Sequence, residues 1–383
     1  MATGSAPTPV SHDRSSGSVT LDTNALLSAM LGAHDQVSDL IFSPGRFPTV
    51  EIQGELSRVE ALTSQPLTPD DTRRIAADLI GGNKQAINIL RDQGSCDLSY
   101  GLPGLARFRV NVFIQRGSCA VVMRVIPTAV PNLAALGLPA HLEDAARFRD
   151  GIVLATGPRN SGKSSTLAAL VDRINQERVC HILTIEDPIE FLHNHKRATI
   201  HQRELHSDTP SIVLALQAAQ RQAPNVILVS DLRDHQTMEM ILEAAETGHL
   251  VFSALNTPDA AKTLERILSL FAGSEQATTR KRLAKTLRLV VSQRLMPRQG
   301  GGGRIVAAEV LRINAQVQQC LEDNDFSSSR LLDVMKGGAR EGMQHFDGEI
   351  EKLVRQGTIS PETAILHSTD PEGLRRRLAQ AER

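Results

Sequence analysis

The residues with the plainest chemical consequence are Gly157-Pro158-Arg159-Asn160-Ser161-Gly162-Lys163-Ser164, which fit the pattern GxxxxGK followed by Ser or Thr. Glycines in such a loop let backbone N–H groups close around phosphate oxygens. The lysine reaches the β and γ oxygens, and the hydroxyl at the last position ligates Mg2+. The spacing predicts a nucleoside triphosphate held at the positive end of a helix.

Such a loop needs a strand before it and a helix after it. Ile152, Val153, Leu154 and Ala155 make the short apolar run of a buried parallel strand, and Leu167, Leu170, Val171 and Ile174 share one helical face from Ser165 to Ile174. Strands and helices then alternate. His181 to Ile185 runs into Glu186-Asp187-Pro188-Ile189-Glu190-Phe191, and Val226 to Val229 ends at Ser230-Asp231 ahead of Arg233-Asp234. Leu250 to Ala254 is preceded by Thr247-Gly248-His249 and followed by Leu255-Asn256-Thr257. Functional groups thus gather at the carboxyl ends of strands, where open α/β sheets bind ligands, and an Asp after four apolar strand residues suits Mg2+ coordination. Past Asp259 the pattern predicts helices over 260–270 and 277–290, a turn at 300–303, a strand over 305–310, and helices over 330–335, 347–355 and from Ser360-Pro361 onward.

The first 126 residues read differently. Residues 1–18 are rich in Ser, Gly, Thr and Pro and predict a disordered tail. Helices are expected from Thr23 to Leu31 and from Thr68-Pro69-Asp70-Asp71, an N-cap signature, to Ile80. Strands are expected at 39–42, 49–52, 96–100, 107–115 and 119–125. Arg107, Arg109, Arg116 and Arg124 punctuate the last of these, either as solvated sheet edges or as groups that reach a neighbour's nucleotide. Residues 127–150 read as a linker with one short helix, so the expected domains are 19–126 and 151–383.

With 383 residues the chain can bury more than one core. Lys plus Arg (42) nearly cancels Asp plus Glu (43), and there is one Tyr and no Trp, so neither charge nor stacking platforms favour nucleic acid. Cys96, Cys119, Cys180 and Cys320 are widely spaced, as in a reducing cytoplasm. No apolar run is long enough to span a membrane.

Together these segments resemble the type II/IV secretion ATPases and, within them, the type IV pilus retraction ATPases of the PilT and PilU kind. The likeness rests on the phosphate loop and on the acidic box Thr184-Ile185-Glu186-Asp187-Pro188-Ile189-Glu190-Phe191. Val226-Ile227-Leu228-Val229 leads into the Walker B position, Glu246-Thr247-Gly248-His249-Leu250-Val251 matches the histidine box, and Gly342-Met343-Gln344 with Asp347 matches the C-terminal signature. The resemblance implies an α/β protein: a PAS-like α+β domain, then a RecA-like P-loop ATPase domain with a helical C-terminal extension. It implies a cytoplasmic homo-hexamer that uses ATP and Mg2+ to drive pilus retraction and twitching motility. Its partners would be an inner-membrane platform protein and a paralogous retraction ATPase.

The roles it implies are nucleotide binding by Gly157, Ser161, Gly162, Lys163, Ser164 and Ser165, and metal binding by Ser164 and Asp231. Glu186 would activate water with Glu190 in support, His249 would sense the γ-phosphate, and Arg109, Arg116 or Arg124 would reach a neighbouring site. Four positions depart from the family pattern. Asn160 replaces a loop glycine, Ser230-Asp231 replaces Gly-Glu and shortens the carboxylate's reach by about 1.5 Å, and Asn256 replaces a histidine. The retraction-associated motif is reduced at 316–325, with basic residues lost and acids gained. An auxiliary, slow or inactive paralogue is therefore an alternative reading. A pilus-assembly or type II secretion ATPase is another, although its usual extra N-terminal domain and four-cysteine metal site find no match here. A RecA-like nucleic-acid motor is more remote.

Overall fold

Runs of alternating and continuous apolar residues fold into two units that divide after Val125. The computed structural model describes residues 22–381, apart from 35–36, 53–54, 60–62, 64, 128, 302 and 324–326, so the expected tail at 1–18 lies outside the described residues.

In the first unit, α1 (Thr23–Gly32), β1 (Val37–Phe42), β2 (Thr49–Ile52) and β3 (Glu55–Arg58) precede α2 (Pro69–Ile80) and α3 (Lys84–Gln93). Then come β4 (Ser95–Leu102), β5 (Ala106–Gln115) and β6 (Ser118–Ile126). The sheet order is β3-β2-β1-β6-β5-β4, an α+β arrangement. Strand alternation sorts its faces: Phe108, Val110 and Val112 of β5 enter the core while Arg109 between them is exposed. Leu26, Leu27 and Met30 of α1 and Ile75, Ala76 and Leu79 of α2 complete that core. The Thr68 signature forms a full capping box. Thr68 Oγ1 accepts from the Asp71 N–H at 3.2 Å, and Asp71 Oδ2 accepts from the Thr68 N–H at 2.8 Å.

The second unit is built on β7 (Gly151–Thr156), α4 (Lys163–Glu177), β8 (His181–Glu186), β9 (Thr199–Glu204) and α5 (Ile212–Gln222). It continues through β10 (Val226–Val229), α6 (His235–Glu246), β11 (Leu250–Leu255), α7 (Ala260–Leu268), α8 (Gln276–Thr286), β12 (Leu287–Pro297) and β13 (Arg304–Arg312). The seven strands run β13-β12-β7-β11-β10-β8-β9, all parallel except the edge strand β13. Helix α4 packs on one face through Leu167, Leu170, Val171 and Ile174, and α6 and α7 pack on the other through Ile241, Leu242, Leu264 and Ile267. Both faces are covered, so β7, β10 and β11 are buried at every position. A helical extension follows as α9 (Ala315–Glu322), α10 (Ser328–Gly337), α11 (Phe346–Arg355), α12 (Pro361–His367) and α13 (Pro371–Ala381). No helix among the described residues is long and apolar enough to cross a membrane.

Two expectations change, and one helix is additional to them. The helix expected over 277–290 stops at Thr286, because Leu287, Leu289, Val290 and Val291 pair with β7 as the start of β12. The segment 127–150 is packed into the second unit, where Leu133, Leu138, Leu142, Ala145 and Ala146 join the core under α4. Helix α3 was not legible because it buries only Ala86 fully and leaves Ile87 exposed. In α13, Arg375 pairs with Glu372 and Arg377 with Glu351, while Arg376 remains exposed.

Removing the cap by Thr68→Ala is expected to cost about 1 kcal/mol of stability at neutral pH, seen as a lower urea midpoint. The hydrogen bonds from Thr68 hold the Asp71 carboxyl below its ordinary pKa. Their stabilisation is present above the unfolded-state pKa and is lost as pH falls through the folded one, so the variant's deficit should shrink on acidification towards pH ~3.

Candidate functional site

The phosphate loop leaves β7 through a turn that only glycine can make. Gly157 has φ 144°, and a Cβ there would lie 2.5 Å from the Gln293 carbonyl oxygen and 2.5 Å from Ser161 Oγ. Asn160 adopts φ 61°, the left-handed conformation that Asn tolerates better than other side chains. Gly162, at φ 92°, is the N-cap of α4. The first backbone N–H groups of this helix therefore surround the loop, where the helix dipole favours an anion. Lys163 Nζ donates to the carbonyls of Gly157 (3.0 Å) and Pro158 (2.8 Å). Burial lowers its pKa, while the negative charges of Asp231 and Glu190 act the other way.

Register places the other groups beside this loop. Thr156 is level with Leu255 of β11 and Ser292 of β12, while Ile185 of β8 is level with Val229 of β10. Glu186, Ser230-Asp231 and Asn256 consequently emerge at the same carboxyl edge as the loop. Glu186 is 8% exposed, and its Oε1 accepts from Thr184 Oγ1 (2.6 Å) and Gln202 Nε2 (3.0 Å). The Glu190 N–H also donates to it. Burial raises its pKa despite these bonds. Asp231 Oδ2 accepts from Arg233 Nε at 2.7 Å, and Arg233 also lies 3.8 Å from Asp187.

His249 is not brought to this edge. It precedes β11, as the sequence order places it, and its carbonyl accepts from the Gly151 N–H at the start of β7. A six-residue strand then separates it from the phosphate-loop edge by about 20 Å. Its Nδ1 instead bonds the Ala244 carbonyl at 2.9 Å. The strand's other end carries Asn256, so the γ-phosphate role implied for His249 has no geometric basis within this chain. Arg109 on β5, Arg116 in the β5–β6 turn and Arg124 on β6 are all exposed, and Arg124 Nε in addition donates to the buried Asp39 at 2.9 Å.

Sequence reading overlooked Gln293. It is 2% exposed on β12, its Oε1 has no partner, and its carbonyl lies under Gly157. The polar triplet Ser292-Gln293-Arg294 between Leu289-Val290-Val291 and Leu295-Met296 was the available signal. In the loop itself Ser161 Oγ is buried without a partner among the described residues. That hydroxyl can donate to a phosphate oxygen, and with the glycine cradle it fits a bound polyphosphate, whereas Gln293 Oε1 is an acceptor and calls for a donor instead. No cluster of three or more His, Cys, Asp or Glu among the described residues could hold a metal alone. Ser164 and Asp231 offer hard oxygens, which suits Mg2+ that takes one or two side chains plus substrate phosphates.

Gly157→Ala should lower nucleotide affinity by at least about tenfold, or ~1.4 kcal/mol, because the backbone must move away from Gln293. Asn160→Gly should leave affinity within about twofold, since glycine accepts the same φ. Titration with a fluorescent ADP analogue measures both.

The sequence pattern described as "Type II/IV secretion system protein" matches residues 101–360. A twitching motility protein of Neisseria gonorrhoeae is 38% identical over 85% of this chain and 86% of its own length. The type IV pilus retraction ATPase PilT of Pseudomonas aeruginosa is 36% identical over 92% and 99% respectively. A crystal structure of the pilus retraction motor PilT with bound ADP superposes with a TM-score of 0.82 at 37% identity, covering 93% of this chain and 99% of that one. Matched by that family over residues 101–360 and 36–38% identical to these relatives over most of its length, the chain belongs to the type II/IV secretion system protein family.

Proposed function

We propose that this protein is an ATP-hydrolysing motor of type IV pilus retraction, the activity behind twitching motility. The observation that carries the reading is the meeting of Lys163, the buried Glu186 and Asp231 at one sheet edge, in a chain similar over 92% of its length to a pilus retraction ATPase. The Gly157–Ser165 loop binds the phosphates of ATP through backbone N–H groups, and Lys163 exchanges its loop carbonyls for β and γ oxygens. Ser164 and Asp231 would hold Mg2+, which neutralises phosphate charge. Glu186, supported by Glu190, orients the attacking water and accepts its proton. Its raised pKa moves it towards the range where a general base works well.

Phosphoryl transfer gains most from charge placed around the γ-phosphate. Arg109, Arg116 or Arg124, all exposed, would supply it to a neighbouring subunit in a homo-hexamer, Arg124 on giving up its bond to Asp39. Hydrolysis would then be coupled to movement between subunits. Force would pass to an inner-membrane platform protein, so the ring would be peripheral to the membrane on its cytoplasmic side.

A second reading, an auxiliary subunit of low turnover beside a paralogous retraction ATPase, is favoured by two observations. Arg233 occupies an oxygen of Asp231 at 2.7 Å, and Asn256 supplies no titratable group. Steady-state ATP hydrolysis by the assembled protein separates the two. Lys163→Ala is the zero, and Glu186→Gln should lose about 100-fold or more in rate while binding nucleotide. If the protein is auxiliary, Asp231→Glu or Asn256→His should raise the rate about tenfold. An unchanged rate in both would eliminate that reading.

A further inference from the structure

Glu309 is a buried carboxylate outside the nucleotide edge, at 6% exposure in the middle of β13. Register sets it opposite Ser292, which is in turn opposite Thr156, the last residue before the phosphate loop. Thr156 Oγ1 donates to Ser292 Oγ at 2.8 Å. The three residues therefore lie level across adjacent strands, about 10 Å from first to last at the usual strand spacing.

The carboxylate serves two helix starts. Its Oε1 accepts from the N–H of Ala260, the first residue of α7, at 2.8 Å. The N–H of Phe346, the first residue of α11, donates to it as well. Helix α7 follows directly from Asn256-Thr257-Pro258-Asp259, the loop hanging from the carboxyl end of β11. That loop is stiff: Thr257 and Thr263 hydroxyls bond at 2.6 Å, and Thr263 Oγ1 donates to the Asp259 carbonyl at 2.7 Å. Helix α11 leads the C-terminal helices, which Arg294 fastens to the same sheet. Its guanidinium lies 3.8 Å from the Phe346 ring centre and donates to the His367 carbonyl at 2.6 Å.

We propose that Glu309 is a positioning residue for turnover, the joint that ties the loop 256–259 at the nucleotide edge to the C-terminal helices α11–α13. This rests on the nucleotide-hydrolysis reading. Any shift of the loop on binding or hydrolysis moves the start of α7, and the shared carboxylate passes it to the start of α11. An ionised carboxylate accepts from both N–H groups. A protonated one, or an amide, turns one of its two terminal atoms into a donor, so an N–H bonded to that atom loses its acceptor and the two helix starts are held less firmly.

Burial raises the Glu309 pKa to about 7. The charged groups facing it are Asp259 at the start of α7 and Arg294 on β12. On α11, Asp347 acts on Arg294, and the adjacent His345 has its pKa lowered by burial. As pH falls through about 7, Glu309 gains a proton and the joint should loosen.

The test uses the full chain, wild type and Glu309→Gln. Hydrogen exchange of residues 346–355 is followed with and without ADP, alongside ADP affinity and the pH profile of kcat and KM. Wild type should show an ADP-dependent change in 346–355. In Glu309→Gln that change should vanish and kcat should fall about tenfold, with affinity within about twofold. Glu186 titrates in both proteins, so the difference between their profiles reports Glu309. Wild type should gain rate from pH 6 to 8 over and above the variant. If wild type binds ADP and 346–355 do not respond, or if the variant keeps both kcat and the response, the joint is overturned. The wild-type exchange measurement needs no variant and decides the matter even if Glu309→Gln fails to fold. Failure of wild type to bind ADP would instead overturn the functional reading on which the proposal rests.

Discussion

The second unit depends on one close approach, the passage of Gly157 over the carbonyl of Gln293. No side chain fits between them, so the chain can leave β7 and turn into α4 only where a glycine takes φ 144°. That turn aims the α4 N-terminus at the sheet edge and sets Lys163 among its own loop carbonyls. The constraint links β7 to β12 through atoms far apart in sequence. A Gly-rich loop without β12 beneath it would have no fixed shape.

Around this contact the sheet buries groups that would be costly in an isolated helix or hairpin. Glu186 lies almost out of solvent and is held by Thr184, Gln202 and the Glu190 N–H. Glu309 is buried in the edge strand β13, held by two helix starts. Burying a carboxylate is tolerable only when donors surround it, and each donor here belongs to an element whose position matters to the site. The exposed ion pairs at the surface, such as Arg375 with Glu372, contribute little by comparison.

The departures from the family pattern acquire different weights once they have surroundings. Asn160 is accommodated, since its left-handed φ is one that Asn takes with modest strain. Asp231 is more consequential, because its shortened side chain is already engaged by Arg233. Asn256 stands at the edge where γ-phosphate chemistry would occur, whereas His249, the matched box histidine, lies a strand length away.

The sequence by itself determined the local structure around the site. Apolar run lengths, the Thr68 and Ser360 caps and the glycines of the loop encode backbone conformation within a few residues, and the strand and helix flanking the loop follow from them. It also held a warning about His249, since a residue before a parallel strand sits at the edge opposite the ligand. What only the tertiary structure decided was which distant residues stand level: Thr156 with Ser292 and Glu309, Gln293 under Gly157, and Asp39 with Arg124. Strand order and register set those meetings. They arise from packing between segments separated by up to more than a hundred residues, as with Thr156 and Ser292 at a separation of 136, which no local spacing encodes.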